Sequence, residues 1–336
     1  MTVSPRLKII GEDILVYGIA LAIIWYESRG LSYQKELHDL ADANLWWFVP
    51  ATAVSFLIWF LGENLLFARL FTFFHQRTGY VEMLPGTAAF YFLQAANVLL
   101  ADGALMVFLH HRKGVPWIAS GFTLAYFGFI DGLVFSFTIT AAGILVPNSP
   151  VHAYIPYSVA ALTFFLVIAA WWLWRTPRYS VEKWLYKQPS LHAFREATPA
   201  IYGELLLIRF LIVVPQGLLL WICLASFHLK IPLIQVWAES PLMLAAAATP
   251  ITPAGLGPLQ AVAVHFFGQY APEAKVMAAM LAFSVLQLIY RLPLGLGSAG
   301  AFVHAVLEAA GVPETESTEA EAVSAQEHAP GGSKSY

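Results

Sequence analysis

The sequence predicts an all-α fold, a polytopic transmembrane helix bundle of about 7–9 segments with broken or re-entrant helices. Three observations predict it. The 336 residues are 59% hydrophobic and only 12% charged, with a mean hydropathy of +0.66, whereas soluble domains carry roughly 25% charged residues. Several apolar runs approach the roughly 20 residues that cross about 30 Å of hydrocarbon at 1.5 Å per residue. Tryptophans gather near the ends of those runs, at Trp46-Trp47, Trp117 and Trp171-Trp172-Trp174, where amphipathic rings settle at the headgroup level.

Taken in order, the apolar runs place helices at Ile9–Tyr26, Leu45–Leu61, Leu84–Leu109, Pro116–Val146, Ala153–Trp174, Pro199–Phe227, Leu233–Ala248, Leu259–Phe267 and Lys275–Val303. The first follows Arg6 and Lys8 as a signal peptide would. Glu12 and Asp13 interrupt the approach and no small-residue cleavage site follows, so it is read as a retained helix. Leu259–Phe267 is too short to span, and the three prolines of Thr249–Pro258 forbid a continuous helix before it. That region reads as a broken or re-entrant hairpin. A weak echo appears where Ala95–Leu105, which contains Asp102-Gly103, interrupts an earlier segment. Interrupted segments in two halves point to a midplane binding site.

Lysine and arginine set the orientation. The connection from Arg175 to Arg195 and the short His110-His111-Arg112-Lys113 are basic, so both are expected to face the cytoplasm of an inner (plasma) membrane protein. The transmembrane domain is expected over 1–308. Residues 309–336 are acidic and poor in large apolar groups, and read as a disordered tail.

Composition also excludes. A net charge of -3 offers no basic surface for nucleic acid. The single cysteine, Cys223, excludes an intrachain disulfide and a thiolate cluster, and reads as lipid-facing or packing filler. There is no H-E-x-x-H, no G-x-S-x-G with a histidine partner and no P-loop. Asp102-Gly103 and Asp131-Gly132 lack the further aspartates of a two-metal site. Neither enzymatic activity nor a cofactor is expected.

The chemistry therefore rests on charge inside the membrane. Arg209 lies ten residues beyond Pro199 and Arg291 sixteen beyond Lys275, about 15 and 24 Å along their helices. An intramembrane guanidinium costs about 3 kcal/mol or more unless paired or hydrated. Asp131, Asp102, Glu204 and Glu239 complete the set. Either the arginines hold an anionic headgroup in a polar cavity, or the charges only pair helices, for example Arg291 with Asp131 or Arg209 with Glu239. The break at Thr249–Gln260 has the same two readings. Pro258 suits a first helical position and Gly255 and Gly257 allow a tight turn, so a helix N-terminus is presented to an anion; alternatively Thr249 and Thr252 merely fill a kink.

Pro253-Ala254-Gly255-Leu256-Gly257 and, about thirty residues on, Tyr290-Arg291 within Leu288–Pro293 resemble the signature of the lysylphosphatidylglycerol synthase transmembrane family, the flippase-like domain proteins. The resemblance covers Leu45 to about Phe302. It departs at Gln260, where the family usually has glutamate, and in the first half, where Ala101-Asp102-Gly103 stands for a Gly-Glu and Gly128 for the arginine of an Arg-x-x-Asp that ends at Asp131. The resemblance implies movement of phospholipid or lipid-linked anionic headgroups between leaflets. With no synthase domain after the last helix, lysylphosphatidylglycerol synthesis itself is not expected. The candidate substrate-binding residues are Arg291, Arg209, Gln260, Gly255, Gly257, Thr252, Asp131, Asp102 and Tyr290. A secondary transporter for a small anionic metabolite and a membrane scaffold subunit are the alternatives.

Overall fold

A computed structural model of the chain describes residues 43–95, 98–146, 149–173, 183, 192–247 and 257–309. The expected first helix, most of the basic 175–195 connection, the 248–256 break and the C-terminal tail lie outside the described residues. Those described form ten α-helices and one 3-10 turn, and no strand: α1 Leu45–Phe74, α2 Tyr80–Gln94, α3 Val98–Lys113, α4 Trp117–Leu145, the 3-10 turn Pro150–Tyr154, α5 Ile155–Leu173, α6 His192–Glu196, α7 Pro199–Ser226, α8 Leu233–Ala247, α9 Pro258–Phe267 and α10 Glu273–Ala309. The all-α bundle is as expected, and five of its helices are long and apolar enough to cross a membrane. The chain is a multi-pass membrane protein.

Two expected boundaries change. The run Leu45–Leu61 continues without a break to Phe74, thirty residues in all, because the apolar Leu65-Leu66-Phe67-Ala68 resumes directly after Gly62-Glu63-Asn64. The run Leu84–Leu109 is not one helix but two antiparallel ones, α2 and α3. The chain turns near Ala95, and Asp102 lies inside α3 rather than at the break.

Helices α2 and α3 have 15 and 16 residues, about 22–24 Å each, too short to cross singly. Their outer ends are tied together. Lys113 at the end of α3 pairs with Glu82 in the first turn of α2 and donates to the Arg77 carbonyl, while Gln76 donates to the Lys113 carbonyl. The Lys113 ammonium and the Gly79 N–H hold the Glu82 carboxyl below its ordinary range. This is a re-entrant hairpin entering from the end that carries the basic His110–Lys113, where α6 also packs, with Ala193 and Phe194 in one cluster with Phe71, Leu109 and Tyr126.

Helices α8 and α9, of 15 and 10 residues, enter from the opposite end. Helix α7 stops there in a Schellman motif: His228 takes the left-handed φ of 58°, its N–H reaches the Ala225 carbonyl, and the Leu229 N–H reaches that of Leu224. Asn44, before α1, donates its N–H to the Ser226 carbonyl at the same end. The order long helix, hairpin, long helix therefore occurs twice with inverted direction, as α1–α2/α3–α4 and α7–α8/α9–α10. The expected echo set interruptions at Ala95–Leu105 and Thr249–Gln260; the first holds the turn into α3, and most of the second lies outside the described residues.

The two leading helices, α1 and α7, pack closely and antiparallel. Gly62 makes room for Ile212, whose Cγ1 would lie 2.5 Å from an added Cβ. Ser55 and Gln216 join their side chains across the same seam, and Thr52 meets Cys223 at 3.4 Å; Cys223 is buried packing, not lipid-facing. On the other side of α7, a Cβ at Gly217 would sit 2.9 Å from the Trp237 Cα and 2.7 Å from its Cδ1, so α8 rests directly on that glycine. Helix α5 is peripheral, with Tyr157, Phe164 and Val167 exposed for lipid. Gly217→Ala forces two backbones apart, and unfolding in detergent should show a loss of about 1–3 kcal/mol, whereas Gly203→Ala, with open space around it, should show none.

Candidate functional site

The helix midpoints bring four charged side chains into one region. Arg209, near the middle of α7, is 2% exposed and lies between two carboxylates. Its Nη1 donates to Glu63 Oε1 of α1 at 2.8 Å. Its Nη2 donates to Asp131 Oδ2 of α4 at 2.7 Å, and its Nε lies 2.7 Å from Asp131 Oδ1. Three long helices are thus joined at one guanidinium. The rings of Trp59, Phe127 and Phe135 surround it, with centroids 4.8, 5.5 and 5.9 Å from Cζ, and add cation–π attraction in a dry setting.

The carboxylates differ in access. The Glu63 side chain is 5% exposed and that of Asp131 is 18% exposed, so Asp131 is the member an incoming molecule can reach. Glu63 is also fixed by Tyr91 of α2, whose hydroxyl donates to Oε2 at 2.7 Å. The Tyr91 ring packs edge-on against Phe56 and Phe60. The first hairpin is thereby tied to the charge cluster.

Arg291 approaches from α10. Its Cζ lies 5.7 Å from the centroid of the Tyr91 ring. Its Nε and Nη1 are buried, and among the described residues no acceptor bonds to them. Neighbouring Tyr290 donates to the Val49 carbonyl at 3.0 Å and packs on Phe56 at 5.6 Å, which fixes α10 against α1. On another face of the same turn, Ile289 and Leu292 are 49% and 56% exposed. Helix α10 presents a buried cation on one side and an apolar stripe on the other.

The second hairpin contributes a closed joint. Gly257 has a φ of 94°, a conformation glycine takes without strain, and Pro258 follows at the first helical position. Gln260 is 1% exposed. Its Oε1 accepts the Gly257 N–H at 2.7 Å, while its Nε2 donates to Ser284 Oγ at 2.8 Å and to the Met280 carbonyl at 3.4 Å. The amide holds the start of α9 against α10.

Of the residues expected at the site, the structure brings together Arg209, Asp131 and, through Tyr91, Arg291. Tyr290 and the Gln260–Gly257 pair act on helix placement beside it. Asp102 is joined to neither arginine by a hydrogen bond or ion pair among the described residues, and Thr252 and Gly255 lie outside them. The anticipated pairings change partners: Arg209 meets Glu63 and Asp131 instead of Glu239, and Arg291 does not pair with Asp131. Glu204 pairs with Arg69 at 3.1 Å, with both side chains over a third exposed.

Glu63 and Tyr91 were not among the expected residues. The available signal was Gly62-Glu63 inside an apolar run, a Gly-Glu of the kind sought at Asp102. No group of three His, Cys, Asp or Glu side chains among the described residues could hold a metal.

A family model described as the lysylphosphatidylglycerol synthase TM region matches residues 14–295 of the chain. No curated protein matches it.

Removing one member of a buried, paired charge group leaves its partners uncompensated, at a cost of about 3–5 kcal/mol. Arg209→Ala should therefore lower stability in detergent by that amount. Arg291→Ala, which breaks no hydrogen bond seen among the described residues, should change it by less than about 1 kcal/mol. Thermal unfolding of the two purified variants side by side checks the contrast.

Proposed function

The chain belongs to the lysylphosphatidylglycerol synthase TM region family, and from that premise and the charge cluster we propose that it binds the anionic headgroup of a membrane phospholipid, or of a lipid-linked intermediate, and carries it between the leaflets of the plasma membrane. The observation that carries this reading is Arg291, whose buried Nε and Nη1 have no bonded acceptor among the described residues. A guanidinium offers parallel N–H donors that match two phosphate oxygens. A phosphate there would supply the acceptors that a cation at this depth requires.

Lipid is favoured over a free anion by what surrounds that cation. The apolar stripe of Val285, Ile289 and Leu292 lies along the same helix, all three about half exposed or more. A headgroup at Arg291 can leave its acyl chains in hydrocarbon beside that stripe, so the chains never cross a polar region. Pro293 removes an N–H that would have bonded the Ile289 carbonyl and loosens α10 at the turn that carries Arg291.

Arg209 is the second station in this mechanism. A phosphate moving past Arg291 competes with Asp131, the more accessible carboxylate, for Nη2 and Nε of Arg209. Glu63 stays with Tyr91 and keeps α1, α2 and α7 in register. Exchange of Asp131 for phosphate conserves the number of anions around Arg209, which lowers the barrier for a charged headgroup at the midplane.

The experiment is a leaflet-resolved assay in vesicles containing fluorescent phosphatidylglycerol, with an impermeant reductant reporting the outer leaflet. Wild-type protein should speed crossing well above protein-free vesicles. Arg291→Ala should lower that rate at least about tenfold, the effect of losing roughly 1.4 kcal/mol of interaction, while inserting and folding normally. Equal rates with wild type, Arg291→Ala and no protein would end the lipid reading.

A further inference from the structure

Away from the arginines, the outer hairpin holds a second charge that the lipid reading does not use. Glu239 of α8 is 0% exposed. Its Oε1 accepts from Ser149 Oγ at 3.3 Å, and its Oε2 is buried with no bonded donor among the described residues. Four residues earlier on the same helix face, Gln235 Oε1 is likewise buried and unbonded. No cationic side chain among the described residues pairs with Glu239. Two orphan acceptor oxygens, one of them on a carboxylate, thus lie on one face of a helix.

The neighbourhood adds negative potential. Ala238 packs against Ala142 and Val146, placing this part of α8 against the C-terminal turn of α4, the negative end of that helix's dipole. The polar and titratable groups that interact with Glu239 are Ser149, which caps the 3-10 turn, and Tyr270 of the α9–α10 connection; His152 Nδ1 of the turn is engaged with the Gly143 carbonyl at 3.2 Å. Tyr270 adds no positive charge. A buried carboxylate beside a helix C-terminus is stable only with a positive charge or a proton on it.

We propose that Glu239, with Gln235 and Ser149, binds one monovalent cation, sodium or a proton, from the outer side of the membrane. Sodium is a hard ion and takes the carboxylate, amide and hydroxyl oxygens present here, together with backbone carbonyls. A proton would occupy Glu239 Oε2 alone. Glu239 lies six residues into α8, about 9 Å from its outer end, a short path for an ion from the aqueous phase. Because α8 rests on Gly217 of α7, occupation of this site bears on the helix that carries Arg209.

The test uses the full chain in detergent and reads stability, so it stands whether or not the protein moves lipid. Thermal unfolding is followed while sodium chloride replaces choline chloride at constant ionic strength and pH, and separately while pH is lowered in choline alone. A ligand bound only by the folded state raises the unfolding midpoint. Wild type should rise by about 3 °C or more in one arm, the sodium arm identifying sodium and the pH arm, measured as the difference from Glu239→Gln, identifying a proton. Glu239→Gln keeps the Ser149 contact without the charge and should be flat to sodium and more stable than wild type in choline at high pH. Gln235→Leu should weaken a sodium response and leave a proton response intact. A wild type indifferent in both arms, or a Glu239→Gln variant responding as wild type does, would overturn the assignment.

Discussion

The guanidinium of Arg209 is the constraint around which the rest is arranged. Taken alone at the middle of a membrane helix it would cost about 3 kcal/mol or more, and a position ten residues inside α7, about 15 Å along the helix, is too deep for the side chain to snorkel to the interface. The chain meets this with two carboxylates from different helices, Glu63 and Asp131, and a ring of aromatic faces. Each carboxylate in turn requires the guanidinium. Helices α1, α4 and α7 therefore cannot slide or rotate independently, and the close glycine contact at Gly62 becomes possible because the seam is already in register. Lipid tails are as apolar as leucine, so packing between small residues and polar contacts, rather than hydrophobic burial, decides which helices associate.

Two carboxylates around one guanidinium leave an excess negative charge, which Arg291 offsets from across the Tyr91 ring. The resulting group of two cations and two anions is neutral as a set but unevenly satisfied. Arg209 has two carboxylates paired with it, whereas Arg291 has no carboxylate paired with it among the described residues. On the proposed function, that asymmetry marks Arg291 rather than Arg209 as the arginine open to a ligand; depth in the membrane does not, since both lie far inside their helices. It also explains why the hairpins matter. Irregular backbone at membrane depth is tolerated only where protein buries it or a cavity hydrates it, and the first hairpin reaches the charge cluster through Tyr91.

Hydropathy made the long helices legible, because the length of an apolar run is a direct consequence of bilayer thickness. It failed where polarity inside a helix is answered by a distant partner. Gly62-Glu63-Asn64 reads as an end because a carboxylate without a counter-charge would terminate the span; the counter-charge is Arg209, 146 residues away. Asn64 is satisfied in the same manner, donating to the Tyr80 carbonyl and accepting from Thr87 on α2. In the opposite sense, Leu84–Leu109 reads as one span because the turn near Ala95 is built from residues that also suit helices, and Asp102 drew the eye as the only charge in the run. Arg209, Asp131 and Arg291 were legible as individual buried charges. Their partners were not, since spacing along the chain carries no information on which helices face each other.

Gln260 shows how little formal charge the second hairpin needs. Its amide has one acceptor oxygen and two N–H donors, and the joint offers one donor, the Gly257 N–H, and two acceptors, Ser284 Oγ and the Met280 carbonyl. A carboxylate at this position could accept from Gly257 and from the Ser284 hydroxyl, but it could only repel the Met280 carbonyl. An amide fits all three and holds the same geometry at any pH, so the joint between α9 and α10 stays shut while charge is exchanged elsewhere. Where the family resemblance leads one to expect an ionisable group, this chain has a neutral clasp. Ionisable carboxyls lie instead at Glu63 and Asp131, both on Arg209, and at Glu239, on the first arm of the second hairpin. On the proposed reading, coupling of headgroup movement to an ion has two direct routes, the contact of α8 with α7 at Gly217, the helix bearing Arg209, and that of Ala238 with Ala142 and Val146 of α4, the helix bearing Asp131.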